Sequence, residues 1–152
     1  MATNLPIITN LEATVIHIST PKSIYICNIY IPPNQDINPV EINNLTEQIP
    51  MPRIILGDFN GHNCIWGSDT TNARGRTLEN IIDATKLILL NNSEKTRFDS
   101  FTGNSSVLDL TLCDPALFPT LVWETLPYLY GSDHYPILIT NQNGHDHYTT
   151  PL

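Results

Sequence analysis

The stretch IILGDFNGHNCIWGSD, residues 54–69, carries the signal that decides the fold. Ile54, Ile55 and Leu56 lie between Arg53 and Gly57-Asp58 in a short, nearly continuous apolar run. Such a run predicts a strand over 53–58 that is covered on both faces. Asp58 and Asn60 then stand two apart, and His62, Asn63, Trp66 and Ser68 follow within one loop. The ordinary reading of that loop is a turn in which Asp and Asn bond their own backbone. A site at the rim of a sheet would place the same residue types there.

Towards the N-terminus, TVIHIS (14–19) and SIYICNIYI (23–31) are rich in β-branched and aromatic residues. The intervening TPK is a turn signal, so the two segments predict a hairpin. Side chains alternate along a strand, which places Ile24, Ile26, Asn28 and Tyr30 on one face. PPN ends that strand, because proline cannot donate to a ladder. Residues 39–49 form a weak helix candidate. Towards the C-terminus, TNARGRTLENIIDATKL supplies the best helix, with Leu78, Ile81, Ile82 and Thr85 at helical spacing. LILLN, DSFTG, SVLDLTLC (106–113), LVWETL and YPILIT read as strands, and DPALF as a helical turn. In SVLDLTLC, Leu108, Leu110 and Leu112 face one way while Asp109 and Thr111 face the other. The pattern is α/β (α+β) without strict βαβ alternation. Neither GxGxxG nor GxxxxGK[ST] occurs, which argues against a doubly wound nucleotide fold.

A chain of 152 residues with 41% hydrophobic and 14% charged residues is long enough for one domain with a real core. Its net charge of −8 opposes nucleic-acid binding through a broad basic face, and suits carboxylates gathered around a metal. Cys27, Cys64 and Cys113 make neither a CxxC nor a disulfide framework, which points to a reducing compartment. MATNLPIITN lacks the basic and apolar regions of a secretory signal, and no apolar run approaches the roughly 18 residues of a membrane span. The expected setting is therefore intracellular, cytoplasmic or nuclear, with no membrane partner. His145 and His147 belong to a tail expected to be flexible.

Polar groups break the apolar pattern at four places: Tyr30 at a strand end, Asp58 and Asn60, Asp109 mid-strand, and Asp133-His134 before a strand. Asp109 is the most telling. Aspartate is depleted in strands, and a buried carboxylate without a partner costs several kcal/mol, on the order of an unpaired charge. Histidine is its natural partner, because a carboxylate orients the imidazole and stabilises its protonated form. Asp58, Asn60 and Asp133 are hard oxygen donors suited to Mg²⁺ or Mn²⁺. Together these groups could assemble a hydrolytic site for a phosphoryl group.

Five segments occur in order: YIPPN (30–34), GDFNGHNCIWGS (57–68), NARGRTLENII (72–82), SVLDLTL (106–112) and GSDHYPI (131–137). On them the chain resembles the endonuclease/exonuclease/phosphatase superfamily. Within it, the chain looks most like the endonuclease domain of insect-type non-LTR retrotransposons, with the HNCIWGS and NARG segments pointing to that branch. The resemblance covers about residues 14–140. It implies a two-sheet β-sandwich with helices on the outer faces and a metal-dependent DNA endonuclease site at one end. The nick would expose a 3′ hydroxyl that primes reverse transcription by a partner domain of the parent element. Carried across, Tyr30 would contact the scissile phosphate, Asp58 would orient or deprotonate the attacking water, and Asn60 would hold the phosphate. Asp109 would pair with His134, which would bind the phosphate and share its charge. Asp133, with Asp58, Asn60 and His134, would hold Mg²⁺ or Mn²⁺. His62, Asn63, Trp66 and Arg74 would face the DNA.

The chain also departs from that family. Its members carry, before the tyrosine, a strand with an Asn and then a Glu that is the principal metal ligand. Glu12 is the only acidic residue upstream of Tyr30 and lacks that setting. The expectation is thus an N-terminally truncated domain, with residues 1–13 an extension, 14–140 the partial domain and 141–152 a flexible tail. Impaired activity follows, or an inactive retroelement-derived relic acting at most as a binding module. A sugar- or lipid-phosphate phosphatase of the same superfamily is the third reading.

Overall fold

The structure is a computed structural model that describes residues 1–19 and 22–142. Thr20 and Pro21 of the expected hairpin turn lie outside the described residues, as do His145, His147 and the rest of the tail from residue 143. Three strands open the chain: β1 (Ala2–Leu5), β2 (Glu12–Ile18) and β3 (Ile24–Tyr30). β2 and β3 form the expected antiparallel hairpin. β1 falls within the segment set apart as an extension, and it pairs antiparallel with β2 as the edge strand. Its sequence, ATNL, is too short and too polar to announce a strand; the ladder of β2 supplies the order.

Helix α1 (Pro39–Gln48) starts with proline in its first turn, where no N–H is needed, and the Asn38 side chain accepts from the Val40 N–H at 3.0 Å. It returns the chain to β4 (Arg53–Asp58), which lies parallel to β3. Helix α2 (Ala73–Thr85) follows, with Leu78 and Ile81 buried at the predicted spacing. Next come β5 (Ile88–Leu89), β6 (Arg97–Phe98), β7 (Ser105–Ser106) and β8 (Asp109–Cys113). The chain closes with β9 (Leu121–Thr125) and β10 (Ile137–Asn141).

Among the described residues the main sheet has six strands in the order β1-β2-β3-β4-β8-β5, with two-stranded sheets β9–β10 and β6–β7 beside it. One face of the main sheet, through Cys27, Ile29, Ile55, Leu110 and Leu112, packs with Leu45 of α1 and Leu78 of α2. The opposite face, through Ile54 and Cys113, packs with Trp123 of β9 and Ile137 and Ile139 of β10. This is the expected mixed α/β, two-layer arrangement with helices outside. β9–β10 covers only part of the second face, and an open cavity of about 390 Å³ remains between the layers.

Two strand expectations need correction. DSFTG is a turn, closed by Asp99 accepting from the N–H groups of Phe101 and Gly103; the strand is Arg97–Phe98 before it. SVLDLTLC is also not one strand. Ser105–Ser106 pairs with β6, whereas Asp109–Cys113 pairs with β4 and β5. Between them, the Thr96 hydroxyl accepts the N–H groups of Leu108 and Asp109, at 3.0 and 3.1 Å. Alternation of apolar residues does not reveal such a change of partner sheet.

Arg53 and Asp114 tie the layers at the far end. Asp114 accepts from the Arg53 backbone N–H at 2.8 Å and pairs with its guanidinium at 3.4 Å. The same guanidinium donates to the carbonyls of Thr46 and Ile49 at the end of α1. Asp114→Ala is expected to cost about 3–5 kcal/mol of stability, because it strands a largely buried cation. Urea denaturation checks this, and a midpoint equal to wild type would refute it.

Candidate active site

Strand register builds the site. Tyr30 ends β3 directly beside Asp58 at the end of β4, and Asp58 lies opposite Asp109 at the start of β8. The three side chains therefore project from one face at one end of the sheet. Gly57 permits this close pairing: its φ is +145°, and a Cβ there would stand 1.8 Å from the Ile29 carbonyl oxygen. After Asp58 the chain turns sharply. The Asn60 N–H donates to the Asp58 carboxylate at 2.9 Å, and Asn60 adopts a left-handed φ of +51°. The backbone-bonding turn and the rim site are thus the same structure.

The loop between β9 and β10 brings Asp133 and His134 to this end. His134 Nδ1 lies 2.7 Å from Asp109 Oδ2. With the carboxylate accepting, the proton is on Nδ1, and Nε2 is left to face the cleft. That bond to Asp109 raises the His134 pKa above the usual imidazole value; burial opposes it, and the carboxylates of Asp109, Asp58 and Asp133 reinforce it. Burial likewise raises the Asp58 carboxyl above its usual range, with Asp109 adding to the effect and the Asn60 N–H opposing it. Thr96 holds the Asp109 N–H, and the Asn91 amide donates to the Asp109 carbonyl at 2.9 Å, so both ends of the aspartate backbone are fixed.

An open cleft of about 740 Å³ is lined by Tyr30, Asp58, Asn60, His62, Asp133 and His134, among others. Six of the residues singled out in the sequence therefore converge. Of the residues expected to face DNA, Asn63 and Trp66 are buried, and Arg74 lines the cleft with its guanidinium turned to backbone carbonyls. Trp66 is 1% exposed and its indole N–H donates to the Gly61 carbonyl at 3.1 Å. Asn63 is 2% exposed, donating to Glu79 and accepting from Ile65. Arg74 lines the cleft, but its guanidinium donates to the carbonyls of Ile31, Pro32, Gln35 and Phe59. These residues lock the loop after β4 onto the start of α2 and onto the end of β3. Asn72 caps α2 through the Gly75 N–H at 2.7 Å, and a Cβ on Gly75 would meet the His62 carbonyl at 1.8 Å. NARG is thus a packing device: cap, clamp and close approach within the first turn of one helix.

The expected metal ligands do not form a metal centre by themselves. Among the described residues no three His, Cys, Asp or Glu side chains gather closely enough to hold an ion. Asp133 is paired with Arg97 at 2.9 Å, which holds its carboxyl below the usual range, and His134 Nδ1 is taken by Asp109. Glu12 stands in register with Tyr30 on β2 without completing such a group. Arg97 and Thr96 are the site residues that sequence reading missed. The one available signal was a basic residue within KTRF, in a chain of only seven Lys and Arg.

A family model described as endonuclease-reverse transcriptase matches residues 24–138. A probable RNA-directed DNA polymerase from transposon X-element of Drosophila melanogaster is 26% identical over 117 residues, which are 76% of this chain and 13% of that protein. Among solved structures, the endonuclease domain of TRAS1, a telomere-specific non-LTR retrotransposon, superposes with a TM-score of 0.82 at 25% identity, over 93% of this chain and 67% of that one. The 3′ phosphatase NExo from Neisseria, bound to a product DNA hairpin, gives a TM-score of 0.70 at 14% identity, over 92% of this chain and 72% of that one. At that identity the similarity concerns the fold alone. No helix among the described residues is long and apolar enough to cross a membrane.

Proposed function

This chain belongs to the endonuclease–reverse transcriptase family, and from that premise we propose that it acts as a retrotransposon endonuclease, hydrolysing a phosphodiester bond of DNA to leave a 3′ hydroxyl that primes reverse transcription. The observation that carries the reading is the 2.7 Å Asp109–His134 pair, whose imidazole shares one open cleft with Asp58. Protonated His134, oriented through Nδ1, donates from Nε2 to a phosphoryl oxygen and offsets the charge that grows there. Asp58, whose proton affinity burial has increased, accepts a proton from the attacking water. Tyr30, in register with Asp58, offers its hydroxyl to the phosphate. Asn60, pinned by its bond to the Ile31 carbonyl at 3.2 Å, keeps an amide oxygen for the substrate or water. No step is assigned to Mg²⁺ or Mn²⁺, since among the described residues no three His, Cys, Asp or Glu side chains gather closely enough to hold an ion.

Nicking of supercoiled plasmid, with Mg²⁺, with Mn²⁺ and with chelator, followed by polymerase extension from the nick, tests the reading. Extension from nicks made by wild type and absent with Asp58→Ala is the expected result. Plasmid equally intact with both chains would overturn it. The ion pair that occupies Asp133 favours a second reading, a retroelement-derived module that binds DNA without cutting it. Binding of a DNA duplex together with intact plasmid is the result that selects it.

A further inference from the structure

Arg97 stands in the cleft with its guanidinium only partly used, and we propose that it is a binding site for a backbone phosphate of the DNA strand. The inference rests on the nuclease reading only for the identity of the anion. Three observations carry it. First, β6 is held rigidly against the catalytic loop. Phe98 N–H donates to the Asp133 carbonyl and Tyr135 N–H to the Thr96 carbonyl, both at 2.8 Å, and Arg97 bridges His134 in antiparallel register. Second, Asp133 takes only the Nε hydrogen of Arg97, at 2.9 Å. The Nη atoms have no hydrogen-bond partner among the described residues, although the Asp99 carboxylate also feels the Arg97 charge, and the side chain is 35% exposed. Third, Arg74, the other arginine of the cleft, gives four hydrogen bonds to backbone carbonyls and has little left for a ligand.

A chain of net charge −8 repels a polyanion, so a phosphate strand needs a local cation where it meets His134. Arginine is suited to that task, since its planar fork gives two parallel N–H bonds to a phosphate. The Asp133 carboxylate fixes Nε and so sets the direction of that fork. In this arrangement Asp133 is a positioning residue that acts through Arg97.

Fluorescence anisotropy of a labelled DNA duplex, with chelator present so that no strand is cut, reads the contact directly. Each phosphate neutralised contributes about 0.9 to the slope of log K against log salt concentration. Arg97→Gln is expected to lower that slope by about 0.9, whereas Lys22→Gln leaves it unchanged. Lys22 is an exposed residue at the hairpin end of β3, opposite Tyr30, and its substitution changes net charge equally. Arg97→Lys keeps the slope but binds more weakly, because the fork is lost. An unchanged slope with Arg97→Gln, an equal loss with Lys22→Gln, or a wild-type chain that binds no duplex at low salt would each overturn the site. Should Arg97→Gln fail to fold, by thermal unfolding, unchanged affinity with Arg97→Lys would overturn it instead. Intact plasmid with a reduced Arg97→Gln slope removes the nuclease reading and leaves the phosphate site standing. Nicking with an unchanged slope does the reverse.

Discussion

His134→Ala is expected to nick plasmid DNA about 10²–10⁴-fold more slowly than the wild-type chain, the usual contribution of one positioned acid or base. The imidazole can carry a proton near neutral pH, and its bond to Asp109 holds it in a fixed orientation in the cleft. Its Asp109 partner makes the effect testable by pH as well. Asp58 must be deprotonated to accept a proton, so activity falls as pH drops through its raised pKa. His134 must be protonated to donate, so activity falls as pH rises through its own raised pKa. The profile is therefore a bell between the two. Asp109→Asn removes the main cause that raises His134, so the alkaline limb moves to lower pH. It also removes a like charge beside Asp58, so the acid limb moves down too. A profile whose limbs stay in place would show that Asp109 does not govern the pair. The same linkage acts on stability: the folded pKa of His134 is raised, so its contribution is fully present below the unfolded value and is lost as pH rises through the folded one.

Gly57→Ala is expected to destabilise the chain by about 2–6 kcal/mol, combining about 1–3 kcal/mol of backbone strain with a similar cost for overpacking. The added methyl would overlap the Ile29 carbonyl oxygen at 1.8 Å, and a φ of +145° is a conformation that side chains disfavour. Relief requires β3 and β4 to separate where Tyr30 meets Asp58, so the site loses its register together with the stability. Against a typical total of about 5–15 kcal/mol this is a large fraction. The urea midpoint measures it, and a midpoint within error of wild type would refute the role given to this glycine.

Much of the fold was legible because local pattern and tertiary burial agree. The run 53–58 is β4 with the bounds its apolar residues set, and Leu78 and Ile81 face the core at the spacing that marked α2. Asp109 was legible as a site residue for a related reason: a carboxylate within an apolar strand demands a partner, and the structure supplies His134. The role of the HNCIWGS and NARG segments was not legible. Asn63, Trp66 and Arg74 have the chemistry of nucleic-acid contacts, and only their burial and their backbone partners show that they hold the loop in place.

By itself, then, the sequence determined the hairpin β2–β3, the strand β4, the main helix and the carboxylate and imidazole that must find each other, because these follow from periodicity and from the cost of burying charge. Tertiary structure alone decided that ATNL joins the sheet, that SVLDLTLC divides between two sheets, and that Arg97, unlike Arg74, keeps its Nη donors unbonded among the described residues. Those outcomes depend on which distant backbone groups compete for the same hydrogen bonds, and that competition is settled only when the strands have packed.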